Sequence, residues 1–109
     1  MKAYKGGEIV LVEFPYVGTT RVKRRPSLVV LDTGDDDIVV ARITTQASRT
    51  AADVEISEWR QASLLRPSVV RLDKLATLEK RLVERKLGEL TLADWTKAKA
   101  ALQKFLAAI

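Results

Sequence analysis

Two short stretches of this 109-residue sequence, Arg24-Arg25-Pro26 and Thr44-Thr45-Gln46, place polar side chains where the backbone restricts them. The residue before a proline is pushed out of the α region, so Arg25 is expected to be extended, with its side chain fixed in direction. A guanidinium held that way offers a planar fork of donors to a phosphate, never loses its charge, and can stabilise the extra negative charge of a phosphorane transition state. Arg21, Lys23 and Arg24 crowd the same stretch. Like charges at this spacing repel, so the cluster is either a solvated basic loop or the seat of an anion. Thr44 and Gln46 offer a hydroxyl and an amide on one face of an extended segment, suited to a phosphate and a base edge. Threonine is also frequent in strands merely for its branched side chain.

Other chemistries are excluded by composition. The sequence contains no histidine and no cysteine, which removes the commonest general acid–base, the commonest metal ligand and any disulfide. Catalysis would have to run on Arg, Lys, Thr, Ser, Tyr, Asp or Glu. The net charge is +5 and unevenly placed: residues 1–57 carry eight Lys/Arg against eight Asp/Glu, residues 58–109 eleven against six. Such an excess suits a polyanionic partner. No stretch approaches the roughly 20 apolar residues that span a bilayer, and the N-terminus lacks the apolar core of a signal peptide, so a cytoplasmic protein without membrane contact is expected.

The elements that must position these residues follow from periodicity, and the length predicts one domain over residues 1–109. Glu8 to Phe14 reads as a strand apolar on both faces, ended by Pro15. A loop over 16–25 precedes a second strand beginning after Pro26, and a tight turn at 33–37 leads to a third over Ile38 to Gln46. Along it Ile38, Val40, Arg42, Thr44 and Gln46 share one face, apolar at first and polar toward the end, as in a strand leaving the core for a cleft. The tight turn makes the second and third strands antiparallel neighbours, which brings Arg25 beside Thr44 and Gln46. Short strands follow at 53–57 and 68–73, then one helical turn and a last strand within 78–90. Thr91 and Asp94 predict a helix N-terminus. Leu92, Trp95, Ala98, Leu102, Phe105 and Ile109 form the expected buried stripe of that helix, opposite Lys97, Lys99, Gln103 and Lys104. Five or six short strands and one closing helix predict a mainly β fold, a small SH3-like antiparallel barrel with a C-terminal amphipathic helix.

In order and spacing, "GGEIVLVEFPY", "KRRPSLVVLD", "VVARITTQ", "PSVVRLDKL" and "KLGEL" before a terminal helix resemble the MazF/PemK family of toxins from type II toxin–antitoxin pairs. The likeness covers almost the whole chain. It implies a homodimer of SH3-like barrels, cleavage of single-stranded RNA without a metal or other cofactor, and inhibition by an antitoxin whose acidic, disordered segment fills the groove. The resemblance implies that Arg25 and Thr44 are the catalytic positions; Lys23, Arg24, Gln46, Thr20 and Arg42, from the same stretches, are expected to bind RNA. Tyr16, Trp59 and Phe14 are the aromatics available for stacking.

The sequence departs from the family at Glu8, where Asp is usual, at Arg42, where a small residue or proline is commoner, and in a loop over 15–23 that is only moderately glycine-rich. The loop departure keeps the RNA sequence preference from being carried over. Two other readings fit the same fold class. One is a basic barrel that binds RNA or DNA without cutting it. The other is a gyrase poison resembling the CcdB family, although the chain ends Leu106-Ala107-Ala108-Ile109 without that family's Trp-Gly-Ile tail.

Overall fold

A computed structural model describes residues 2–15 and 22–109. Six strands precede one helix: β1 (Glu8–Pro15), β2 (Val22–Leu31), β3 (Asp37–Thr44), β4 (Asp53–Ile56), β5 (Ser68–Glu79) and β6 (Val83–Glu89), then α1 (Leu92–Ala107). They form one antiparallel sheet in the order β4-β5-β3-β2-β1-β6. The mainly β class, the barrel-like fold and the terminal helix match expectation; the barrel is not closed by strand pairing, because the end strands β4 and β6 do not pair. A turn after β4 spans the seam instead. Gly88 of β6 passes so close to it that a Cβ there would collide with the Ala62 carbonyl oxygen, the usual reason for glycine inside a strand.

The central strands are apolar on both faces, and each face has its own core. Ile9, Leu28, Ala41, Ile43, Val70 and Leu72 belong to the larger one, inside the curl and beneath α1. Val10, Val12, Val29, Ile38 and Val40 form the smaller one on the outer face. Each such side chain taken fully from water contributes about 1.5–3 kcal/mol. The outer core ends where Val40 gives way to Arg42, and there the surface becomes charged.

Three elements differ from the sequence reading. β2 begins at Val22, so Arg24, Arg25 and Pro26 lie within a strand, Pro26 opposite Leu11 of β1. Proline is tolerated because β3 pairs with β2 only from Ser27 onward, leaving the other edge of β2 open at that point. β3 ends at Thr44 and Gln46 lies beyond it. β5 runs on through Glu79, with a break in register between Ala41↔Leu75 and Arg42↔Arg71 that leaves Leu72, Asp73 and Lys74 without partners on β3. This bulge bends β5 so that its first half serves β4 and its second half extends the outer face.

Thr91 caps α1, its Oγ1 accepting from the Asp94 N–H at 3.3 Å. The predicted apolar stripe is only partly buried. Trp95, Ala98 and Leu102 pack on the inner core, whereas Leu92 is 79% and Ile109 100% exposed. Packing ends with Leu102, and every residue from Gln103 onward is exposed. Periodicity also missed Asp94, which is buried and accepts hydrogen bonds from the N–H groups of Ser57 and Glu58, so α1 is tied to the turn after β4.

Candidate active site

On the outer face a cleft of about 360 Å³ opens between the end of β1, the start of β2, the middle of β3 and the bulge of β5. Its floor is apolar, from Phe14, Val40, Leu75 and Ala76. Its walls carry Lys23, Arg25, Arg42 and Lys74, and no carboxylate is among its lining residues. Strand alternation explains the set: Lys23, Arg25 and buried Ser27 share one face of β2, while Val40 and Arg42 share the matching face of β3, with Ser27 directly opposite Arg42. The bulge of β5 delivers Lys74 to the same place. Arg25, Arg42 and Lys74 have no hydrogen-bond or ion-pair partner among the described residues. Undischarged cations over an apolar, low-dielectric floor make a strong anion site.

Thr44 follows Arg42 by two residues on the same face and is 7% exposed. It does not itself line the cleft. Continued two residues past Ser27↔Arg42, the β2–β3 register sets Arg25 across from Thr44, so both groups lie on one face at the point where the two strands part. Thr44 Oγ1 accepts a hydrogen bond from the backbone N–H of Gln46 at 3.2 Å. A hydroxyl whose lone pair is so occupied keeps its proton available to a further acceptor.

The other candidates separate. Lys23 and Arg42 join the cleft. Arg24 does not: one step along the pleat it projects from the opposite face, with Nε 2.6 Å from Glu84 Oε1 and Nη2 3.5 Å from Glu13 Oε1. There Glu13 is shifted up, first by its hydrogen bond to Glu84 and then by partial desolvation, against the attraction of Arg24. Gln46 has left the strand, and its Oε1 receives Nη2 of Arg71 at 3.0 Å. Thr20, Arg21 and Tyr16 lie outside the described residues. Of the remaining aromatics, Phe14 forms part of the cleft floor, and Trp59 packs on the inner core with the Arg60 guanidinium 4.5 Å above its ring.

Two residues, one in the cleft and one beside it, escaped sequence reasoning. Lys74 sits in a charged run that gives no sign of a bulge. Arg71 does not line the cleft; it sits between buried Val70 and Leu72 and is 1% exposed, its Nη1 3.2 Å from Asp53 Oδ2. Its only signal was a charge at a position where a buried strand should continue. Glu8, the departure from the family pattern, is buried and structural. Burial opposes its ionisation, but the Lys86 ammonium at 2.7 Å and the Lys5 N–H outweigh it and hold its carboxyl below the usual range. Among the described residues no three His, Cys, Asp or Glu side chains converge as a metal site would require, and no helix is long and apolar enough to cross a membrane.

Residues 5–106 match the family model described as PemK-like, MazF-like toxin of type II toxin-antitoxin system. The chain belongs to that family. Among solved structures it is similar to an endoribonuclease from Mycobacterial species, at 24% identity over 98% of this chain and 94% of the other, with a TM-score of 0.79. A second, an endoribonuclease in complex with its cognate antitoxin from Mycobacterial species, shares 25% identity over 96% of both chains, with a TM-score of 0.78. The MazE-MazF structure from Deinococcus radiodurans superposes equally well, at 0.79 over 98% of both chains, with 19% identity. At identities of 24% and 19% the first and third establish a shared fold. Among curated proteins none is significantly similar in sequence.

Proposed function

We propose that this chain is the toxin of a toxin–antitoxin pair, a metal-independent endoribonuclease that cuts single-stranded RNA and thereby stops translation and growth. The observation that carries the reading is the outer-face cleft: four cationic side chains, three of them without internal partners, and no acid in the lining. Family membership and the fold shared with endoribonucleases support it.

Cleavage without a metal uses the ribose 2′-OH as an internal nucleophile, so the protein has to align that oxygen with phosphorus and neutralise developing charge. Arg25 holds the non-bridging oxygens and the Thr44 hydroxyl donates to the same phosphate. Lys23, Arg42 and Lys74 hold flanking phosphates. The 2′-oxygen attacks phosphorus and loses its proton to water; the bond to the 5′-oxygen breaks, and that oxygen takes a proton from solvent. The products are a 2′,3′-cyclic phosphate and a 5′-OH. On the family pattern the working unit is a cytoplasmic homodimer, and an acidic, otherwise disordered segment of the antitoxin occupies the cationic cleft in place of RNA.

End-labelled single-stranded RNA incubated with the protein in EDTA tests the reading. Discrete fragments ending in cyclic phosphate are expected. Retarded but intact RNA would instead establish a binding protein, and trapped gyrase–DNA complexes without RNA cleavage a gyrase poison.

A further inference from the structure

Arg71 is the largest fully buried side chain among the described residues, and its neighbours Val69, Val70 and Leu72 are apolar and buried. A cation is costly to bury, and a well-packed apolar residue often serves stability as well as a buried ion pair does. Its partners show where the guanidinium acts. Nη1 meets Asp53 Oδ2 at 3.2 Å, which neutralises it. Nη2 donates to Gln46 Oε1 at 3.0 Å. Gln46, so held, donates its backbone N–H to Thr44 Oγ1 at 3.2 Å. Asp53 Oδ2 also accepts the Arg49 N–H at 2.8 Å, fastening the segment that follows. The chain of contacts runs beside the cleft, because Arg71 lies directly opposite Arg42, and Val69 opposite Thr44, on the same face of the sheet.

A threonine hydroxyl has one proton and can rotate. With Oγ1 accepting from Gln46, the proton is turned away from the protein backbone and toward an incoming acceptor. We infer that Arg71 is a positioning residue for RNA cleavage: through Gln46 it fixes the turn after β3 so that the Thr44 hydroxyl points its proton at the scissile phosphate. This rests on the reading of Thr44 as catalytic given above. It also assigns Gln46 to the support of Thr44 in place of the RNA contact expected from sequence.

Single-turnover cleavage by Gln46 and Arg71 variants, alone and with Thr44→Ala, tests the inference. Gln46→Leu removes the acceptor of Arg71 and should lower the maximal rate about tenfold with half-saturating RNA changed less than about twofold. Gln46→Glu retains an acceptor and should restore the maximal rate. Arg71→Lys, which keeps a charge beside Asp53 but lacks the second arm, should resemble Gln46→Leu; where it fails to fold, the Gln46 pair decides. In the Thr44→Ala background Gln46→Leu should cost nothing further. An undiminished tenfold loss in that background, or a raised half-saturation with an unchanged maximal rate, would overturn the inference. Wild-type cleavage by Thr44→Ala alone would instead refute the catalytic reading beneath it.

Discussion

Arg24 and Arg25 are adjacent in sequence and opposite in circumstance. Strand alternation turns Arg24 to a face where Glu84 and Glu13 neutralise it, and Arg25 to a cleft with no acid in its lining. The difference separates two uses of charge in one small protein. Charges with partners hold elements together: Arg24 links β2 to β1 and β6, Lys80 reaches Asp32 at 3.0 Å across the end of the sheet, and Lys86 covers Glu8. Arg25, Arg42 and Lys74, without partners among the described residues, gather beside the outer core. Self-repulsion is offset only when an anion arrives.

The comparison breaks most easily at Arg25. Arg25→Ala should slow RNA cleavage by roughly 100-fold or more, on the order of 3 kcal/mol of transition-state stabilisation, with an unchanged circular dichroism spectrum. Next come Arg42→Ala and Lys74→Ala, which weaken binding to an uncleavable single strand. Each should reduce the slope of log affinity against log salt by about 0.7, the share of one phosphate contact.

Partnered charges should behave in the reverse way. Asp32 accepts hydrogen bonds from the N–H groups of Tyr4 and Gly34, and these with the Lys80 ammonium lower its pKa from 3.8 to about 2. A depressed carboxyl contributes stability that is present above its unfolded value and lost as pH falls through the folded one. The stability gap between wild type and Asp32→Asn should therefore be constant above pH 4 and close toward pH 2 in denaturant titrations, with cleavage unaffected. Smallest of all, Arg24→Ala should change cleavage less than about twofold, as expected for an exposed ion pair. Because Arg24 opposes the upward shift of Glu13, its loss should raise that titration further, measurable by carboxyl NMR.

Much of this was legible in the sequence, and the rest was not for identifiable reasons. The alternation in β3 placed Val40, Arg42 and Thr44 on one face, and the tight turn set Arg25 beside them, because period-2 patterning and hairpin register are local properties. Pro26 concealed the true start of β2: proline ends strands on average, and only the absence of β3 beside it shows why this one is allowed. The bulge that delivers Lys74 depends on how β5 divides its pairing between β3 and β4, which no local signal encodes. Arg71 was hidden likewise, since its burial depends on Asp53 and Gln46, which precede it by 18 and 25 residues. Leu92 and Ile109 carried the helical period but lie at the start of α1 and past its end, outside the turns that pack on the core, and periodicity does not say where packing stops.

The most direct test is a nitrogen-15 NMR titration of the arginine side-chain Nε–H signals with a single strand made uncleavable by a 2′-deoxy sugar at the scissile position. Arg25 and Arg42 should shift and slow their exchange with water as RNA is added, while Arg24 stays fixed on Glu84. Shifts at Arg24 with Arg25 unmoved would place the phosphate on the other face of the sheet and contradict the assignment.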